Sequence, residues 1–283
     1  MNPYFTNLLR SVRDIVIKLF FTNYISARDI NLSLPIHITN SAGSRIECAR
    51  LAILSAQQTF PLIYKLQNFL GNNHPEIIKI ESFISDDLQK IDAKLMADLF
   101  NQFGSDKSSV HNYHLFYAYV LSNIRPNHLS ILEIGVGTNN VNLVSNMGEG
   151  GQPGASLRAF REYLPNSDIY GADIDKEILF QEERIKTYYV DQNDMLSFNA
   201  LSDSLENIKF DLIIDDGLHS PSANISTLLF ALNRLKLKGW VVIEDISEAS
   251  LPIWEVVARI LSNSYSPKLI KAKEGFIFAI QNQ

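Results

Sequence analysis

The chain has 283 residues, 46% of them hydrophobic and 20% charged, the balance of a soluble globular protein with a sizeable core. Its 25 lysines and arginines face 31 aspartates and glutamates, a net charge of −6. That speaks against a nucleic-acid partner, because affinity for a phosphate backbone comes mainly from Lys and Arg. A single cysteine, Cys48, excludes an internal disulfide framework and a cysteine-rich zinc site. The carboxylate excess is confined to residues 104–283, with 22 acidic against 15 basic side chains, whereas residues 1–103 hold 9 and 10. A metal or a cationic ligand is therefore expected in the C-terminal two-thirds.

Taken in chain order, Phe5, Leu8, Leu9, Val12, Val16, Leu19 and Phe20 recur at helical spacing and predict an amphipathic helix. Arg10, Arg13, Asp14 and Lys18 interrupt the apolar run, which is too broken for a signal segment or a membrane span of about 20 residues. A cytoplasmic location is expected. Residues 30–39 alternate like a strand, about 45–70 read as helical, and 77–84 read as a short β-like run. Residues 1–85 thus form an N-terminal mixed, mainly helical appendage, expected to serve an acceptor pocket or a homo-oligomer contact. Asp86 and Asp87 are N-cap material for a helix with Leu88, Ile91, Leu95, Met96, Leu99, Phe100 and Phe103 on one face, and Gly104 stops it.

From residue 129 onward, buried-strand patterns alternate with helical ones. Apolar runs at 129–137, 168–175, 186–192, 210–217 and 239–246 each end in a carboxylate-bearing loop, and helices are predicted at 156–164 and 223–236. The runs at 266–273 and 275–281 read as a closing pair of strands. Such alternation predicts an α/β fold with a doubly wound, mostly parallel, Rossmann-like sheet, whose ligands bind beyond the carboxyl ends of the strands.

The residues at those ends carry the functional reading. Glu133-Ile134-Gly135-Val136-Gly137 places glycines where a backbone must turn tightly against a ligand. The dinucleotide fingerprint fails, because Asn140 stands at its third glycine, and this disfavours NAD. Asp173, at the end of the next strand, is positioned to accept hydrogen bonds from both ribose hydroxyls of an adenosine cofactor, and Asp191-Gln192 to read an adenine edge. Asp215-Asp216-Gly217-Leu218-His219 and Glu244-Asp245 gather four carboxylates that would repel one another without a cation. Oxygen ligands without thiolate favour a hard ion such as Mg²⁺. His219 is a candidate proton acceptor on the following loop.

Several motifs together resemble the metal-dependent class I S-adenosylmethionine O-methyltransferases that act on sugars of macrolides, the macrocin and mycinamicin O-methyltransferases. Gly104-Ser105-Asp106-Lys107 with His111, Tyr113 and Tyr117 is similar to that family's lead-in, and LEIGVG to its cofactor loop. The glycine-rich stretch from Gly148 to Asp175 resembles the insertion and helix that follow, with Phe160 where the family usually has Trp. DQND, DDGLH and IED complete the series in family order. The resemblance implies S-adenosylmethionine across Glu133, Gly135 and Gly137, with Ser156, Asp173, Asp191, Gln192 and Tyr113 completing its site. It also implies Mg²⁺ on Asp216, Glu244 and Asp245, with His219 and Asp216 in catalytic roles, and a small-molecule or glycan hydroxyl as acceptor. A phenol or catechol O-methyltransferase and a non-catalytic binding protein on the same scaffold are the alternatives, and the intact set of acidic residues and His219 speaks against the second.

Overall fold

The computed structural model describes residues 54, 58–66, 69 and 75–283. The helix expected near the N-terminus and the strand expected at 30–39 lie outside the described residues. The chain divides into two compact units at 69/70. In the first, residues 58–66 are helical; the second carries the sheet. Among the described residues, no helix is long and apolar enough to cross a membrane.

In chain order the second unit runs β1 (Ile77–Lys79), α1 (Asp87–Phe103), α2 (His114–Leu121), β2 (Ser130–Ile134), α3 (Ala155–Tyr163), β3 (Asp168–Asp173), β4 (Gln181–Glu182) and β5 (Ile185–Tyr189). It continues with α4 (Met195–Ser204), β6 (Phe210–Asp215), α5 (Pro221–Leu232), β7 (Leu235–Ile246), α6 (Leu251–Leu261), β8 (Lys268–Lys271) and β9 (Phe276–Gln281). The strands lie in the order β1-β8-β9-β7-β6-β2-β3-β5-β4. The central run from β7 through β6, β2 and β3 to β5 is parallel, and β9 is antiparallel to both β7 and β8. β1 pairs in parallel with β8, so part of the run expected to close the N-terminal segment joins the sheet instead.

Side chains alternate across the strands, and the core falls into two clusters accordingly. Ile131, Leu212, Val242 and Ile277 face Met96, Phe100, Phe116, Tyr117 and Phe160 of α1, α2 and α3. Their neighbours Leu132, Ile213, Val241 and Phe278 face Phe198, Leu201, Leu228, Phe230 and Trp254 of α4, α5 and α6. Helices on both faces of a largely parallel sheet give the doubly wound architecture predicted from the strand and helix alternation.

The expected capping of α1 is present. Asp86 accepts from the Gln89 N–H at 2.8 Å, and Gly104 ends the helix at φ 82°, where a side chain would be strained. Its buried face consists of Ala93, Met96 and Phe100. Leu88 and Ile91, expected on that face, are exposed. Phe160 stacks edge-on against Phe100 and Tyr117, both with centroids 5.3 Å away, and is fully buried. A phenylalanine there fills its site.

Candidate active site

The carboxyl ends of β2, β3, β5, β6 and β7 open into two adjoining cavities. The first, about 250 Å³, lies over the ends of β2, β3 and β5 and is lined by Gly135, Gly137, Asp173, Asp191 and Gln192 among others. The second, about 490 Å³, lies over β2, β6 and β7 and is lined by Lys107, His111, Tyr113, Asp216, His219 and Asp245 among others. Gly135, Gly137, Ser145 and Asp216 border both.

The wall between them depends on Gly135. Its φ is +99°, and a Cβ there would sit 2.0 Å from the carbonyl oxygen of Asp216. The Asp216 N–H donates to the Ile134 carbonyl at 2.7 Å, so the loops after β2 and β6 are held in register just beside that close approach.

Asp173 shapes the glycine loop as well as lining the first cavity. One carboxylate oxygen accepts from the N–H groups of Val136 (2.8 Å) and Gly137 (3.2 Å), the other from the Asp175 N–H (2.9 Å). Burial raises its pKa, against the lowering effect of those three donors. Gln192 lines the same cavity, but its amide braces strand ends. Its nitrogen donates to Asp215 (2.9 Å) and Thr227 (2.8 Å), and its oxygen accepts from the Leu218 N–H at 2.7 Å. Asp191 caps its own loop by accepting from the Asn193 N–H at 2.9 Å.

Three residues expected beside the cofactor do not line the first cavity. Tyr113 lines the second cavity, where its hydroxyl donates to Asp245 at 2.6 Å and accepts from the Asp245 N–H at 3.2 Å. Ser156 also lines the second cavity and donates to Glu133 at 2.6 Å; the Glu133 side chain is fully buried beneath the loop. Its other oxygen lies 3.1 Å from the Lys107 ammonium, an ion pair without a hydrogen bond.

The four carboxylates at the ends of β6 and β7 divide. Asp215 is fully buried under Gln192, and burial raises its pKa. Asp216 and Asp245 reach the second cavity together with His219, and one ligand atom from each lies within 4.8 Å of the others. His219 Nε2 is 3.9 Å from Asp216 and 3.7 Å from Asp245, too long for a hydrogen bond to either. Glu244, the third expected metal ligand, lies outside this cluster. One of its oxygens meets the Lys107 ammonium and the other accepts from the Tyr117 hydroxyl. Burial holds its pKa well above the ordinary range, against the opposing pull of Lys107.

The backbone explains how two neighbouring acids reach one edge of the sheet. The β7–β9 register shifts between Ile243 and Ile246, a bulge of the kind that re-aims side chains. Asp245 adopts φ 54° there, and His219 adopts φ 55° on the loop after β6. Backbone of this sort costs of order 1–3 kcal/mol per residue and tends to gather where side-chain placement matters.

The residues brought in besides those expected are Lys107, Tyr117 and His111. Lys107 and Tyr117 hold Glu244, while His111 stacks on Tyr113 at 4.9 Å and places a buried Nδ1 3.4 Å from Asp245 without a hydrogen bond. All three lie in the lead-in stretch around residues 104–117, whose only sequence signal was its motif.

No known family profile matches the chain. The fold matches the MycE methyltransferase from the mycinamycin biosynthetic pathway, solved in complex with Mg and SAH, with a TM-score of 0.53 and 22% identity over 66% of this chain and 55% of that one. That likeness is one of fold. By sequence, the chain is 29% identical over 160 residues to an 8-demethyl-8-alpha-L-rhamnosyl tetracenomycin-C 2'-O-methyltransferase of Streptomyces olivaceus, covering 56% of this chain and 40% of that relative. It is 36% identical over 100 residues to the mycinamicin VI 2''-O-methyltransferase of Micromonospora griseorubida, covering 35% and 24%. The chain thus spans well under half the length of the curated relatives it matches.

Proposed function

We propose that the chain is an S-adenosylmethionine-dependent, divalent-metal-assisted O-methyltransferase acting on a hydroxyl of a sugar or of a glycosylated small molecule. The observation that carries this reading is the meeting of two cavities across the Gly135–Asp216 contact. On one side are the glycine loop and Asp173, suited to an adenosine group. On the other are Asp216, Asp245 and His219. The sequence relatives, O-methyltransferases of a rhamnosyl tetracenomycin and of mycinamicin VI, support the same conclusion.

The residues present fit a hard divalent cation. Glu133, Asp216 and Glu244 surround one buried ammonium, that of Lys107, and Asp245 lies beside Asp216 and His219 at the cavity. Asp216 and Asp245 offer carboxylate oxygens at a cavity wall, and one or two carboxylates with the remaining positions left to water or substrate is the usual protein share of a Mg²⁺ site. When bound, such an ion lowers the pKa of an acceptor hydroxyl. S-adenosylmethionine supplies an electrophilic methyl group.

This chain's own residues do the rest. Asp173 holds the glycine loop open for the donor. Tyr113 fixes Asp245 by two hydrogen bonds. His219 Nε2, hydrogen-bonded to neither carboxylate, takes the proton from the acceptor hydroxyl. Positioning donor and acceptor on either side of the Gly135 wall supplies much of the rate. Ser105, Asp106, Asn146 and Gln152 line the second cavity with hydrogen-bonding groups, which suits a hydroxyl-rich sugar.

Residues 86–283 form the catalytic domain in this reading. Residues 1–85 serve the acceptor pocket or the contact between copies of a cytoplasmic homo-oligomer. Transfer of labelled methyl from S-adenosylmethionine to glycosylated acceptors, followed by mass spectrometry, tests the activity. Failure of the full chain to bind either S-adenosylmethionine or SAH in calorimetry refutes it.

A further inference from the structure

Just before α2 the chain kinks at Asn112, which adopts a left-handed φ of 56°. Asparagine is one of the few residues with a side chain that enter this region readily. The kink lies between His111 and Tyr113, whose rings stack with centroids 4.9 Å apart. Both rings reach Asp245. The Tyr113 hydroxyl donates to its carboxylate at 2.6 Å and accepts from its N–H at 3.2 Å. His111 Nδ1 lies 3.4 Å from the same carboxylate oxygen. Below them the Tyr113 N–H donates to the Lys107 carbonyl at 2.7 Å and closes the turn.

Asn112 itself lines neither cavity. Its side chain joins two other segments. The amide oxygen accepts from the Lys273 N–H at 2.9 Å, and the amide nitrogen donates to Glu81 at 3.0 Å. Lys273 adds a second tie, since its ammonium donates to the Ser109 carbonyl at 2.7 Å. Glu81 belongs to the 3-10 turn Ile80–Phe83 after β1, and Lys273 to the turn between β8 and β9. That second turn is registered on the bulge of β7. Phe276, the first residue of β9, pairs with Ile246, which directly follows Asp245. A Cβ on Gly275 would lie only 3.2 Å from the Ile246 carbonyl oxygen. The turn that grips Asn112 is thus fixed to the stretch of β7 that carries Asp245.

We propose that Asn112 is a positioning residue: by tying the lead-in turn to the β8–β9 turn and to Glu81, it sets the Tyr113 hydroxyl against Asp245 and so holds that carboxylate ready for a divalent cation. The proposal rests on the metal-assisted reading above. A carboxylate ordered in advance binds an ion more tightly than one that must be ordered on binding. The position asks for asparagine in particular. Glycine would supply the left-handed backbone without the two hydrogen bonds, and alanine would supply neither.

The test uses Mn²⁺ as the probe, titrated into the full chain, with the bound fraction read by electron paramagnetic resonance. Asn112→Ala should weaken Mn²⁺ by about tenfold, while SAH affinity in calorimetry changes by less than about threefold. Tyr113→Phe should cost about as much, and the two together no more than the larger single loss, because Asn112 acts through Tyr113. Asn112→Asp combined with Glu81→Gln reverses the direction of their hydrogen bond and keeps the acceptor for Lys273, so it should return Mn²⁺ to within about threefold of the natural chain. Additive losses in the double variant overturn the proposal. So do unchanged Mn²⁺ binding in Asn112→Ala, or equal losses of Mn²⁺ and SAH that follow a fall in thermal stability, the mark of a merely structural asparagine. Should Asn112→Ala not fold, Glu81→Ala, at an exposed position, decides: Mn²⁺ weakened by about threefold with SAH unchanged supports the proposal, and no change overturns it. Absence of any Mn²⁺ binding to the unaltered chain overturns the metal-assisted reading and the proposal with it, whereas the other adverse outcomes overturn the proposal alone.

Discussion

Replacing Gly135 by alanine probes the contact that joins the two cavities. Two separate costs follow from the structure. At φ +99° a β-carbon is disfavoured by about 1–2 kcal/mol. The same atom would lie 2.0 Å from the carbonyl oxygen of Asp216, 2.4 Å from its carbonyl carbon and 2.8 Å from the Gly217 nitrogen. These are backbone atoms with no rotamer to escape into, so the Asp216 loop must move by more than an ångström, an overpacking cost of about 1–3 kcal/mol.

The sum is a destabilisation of about 2–5 kcal/mol, read as a drop of about 2–4 °C in Tm per kcal/mol for a domain of this size. Because the Asp216 N–H is bonded to the Ile134 carbonyl and its carboxylate to Lys107, the displacement should also disturb the metal side. Thermal unfolding combined with calorimetry of SAH and Mn²⁺ should show all three quantities falling together. Gly150→Ala is the control, since nothing lies within 4 Å of a Cβ there; it should stay within about 0.5 kcal/mol of the natural chain. A Gly135→Ala protein with unchanged stability and unchanged affinity for both ligands would refute the claim that this contact organises the site.

Three further outcomes are expected. Asp173→Ala removes the acceptor for three backbone N–H groups and should weaken SAH by about 10–100-fold in calorimetry, with a loss of stability beside it; unchanged SAH affinity would detach Asp173 from the cofactor. Chelation by EDTA should abolish methyl transfer, and Mg²⁺ should restore it while SAH binding persists; full activity after thorough metal removal would falsify the metal assignment. His219→Ala should lower kcat by about 10²–10⁴-fold with Mn²⁺ affinity nearly unchanged; a large loss of Mn²⁺ affinity would make the imidazole a ligand instead of a base.

The central strands were legible because each couples an apolar run to an acidic end, and the closing pair β8 and β9 followed from alternation. The helices flanking them were less so. HLFYAYVL of α2 is apolar on nearly every side and buried at five of its eight positions, so it has no amphipathic period to read. α4 is rich in Ser, Asn and Asp, poor helix formers, and depends on the Asp194 cap and on buried Phe198 and Leu201. α6 opens on Leu-Pro, and a proline resembles a breaker until its place in the first turn is known. At the site, the types of residue were legible but not their partners. Nothing in DQ says that the Gln192 amide is spent on Asp215, Thr227 and Leu218, and nothing in the motif around residue 113 says that Tyr113 reaches Asp245.

The adjacent acids Glu244 and Asp245 show why partners matter more than spacing. On a regular strand, neighbours point to opposite faces, and one of this pair would be lost to the site. The bulge and the left-handed backbone of Asp245 let two consecutive carboxylates serve one sheet edge at different depths. The deeper one pairs with Lys107, and the shallower one is braced by Tyr113. A strand end with a single acid would give either a firm anchor for the lead-in loop or a reachable cation ligand. Two adjacent acids at a bulge offer both, Glu244 holding Lys107 and Asp245 serving as the cation ligand of the proposed reaction.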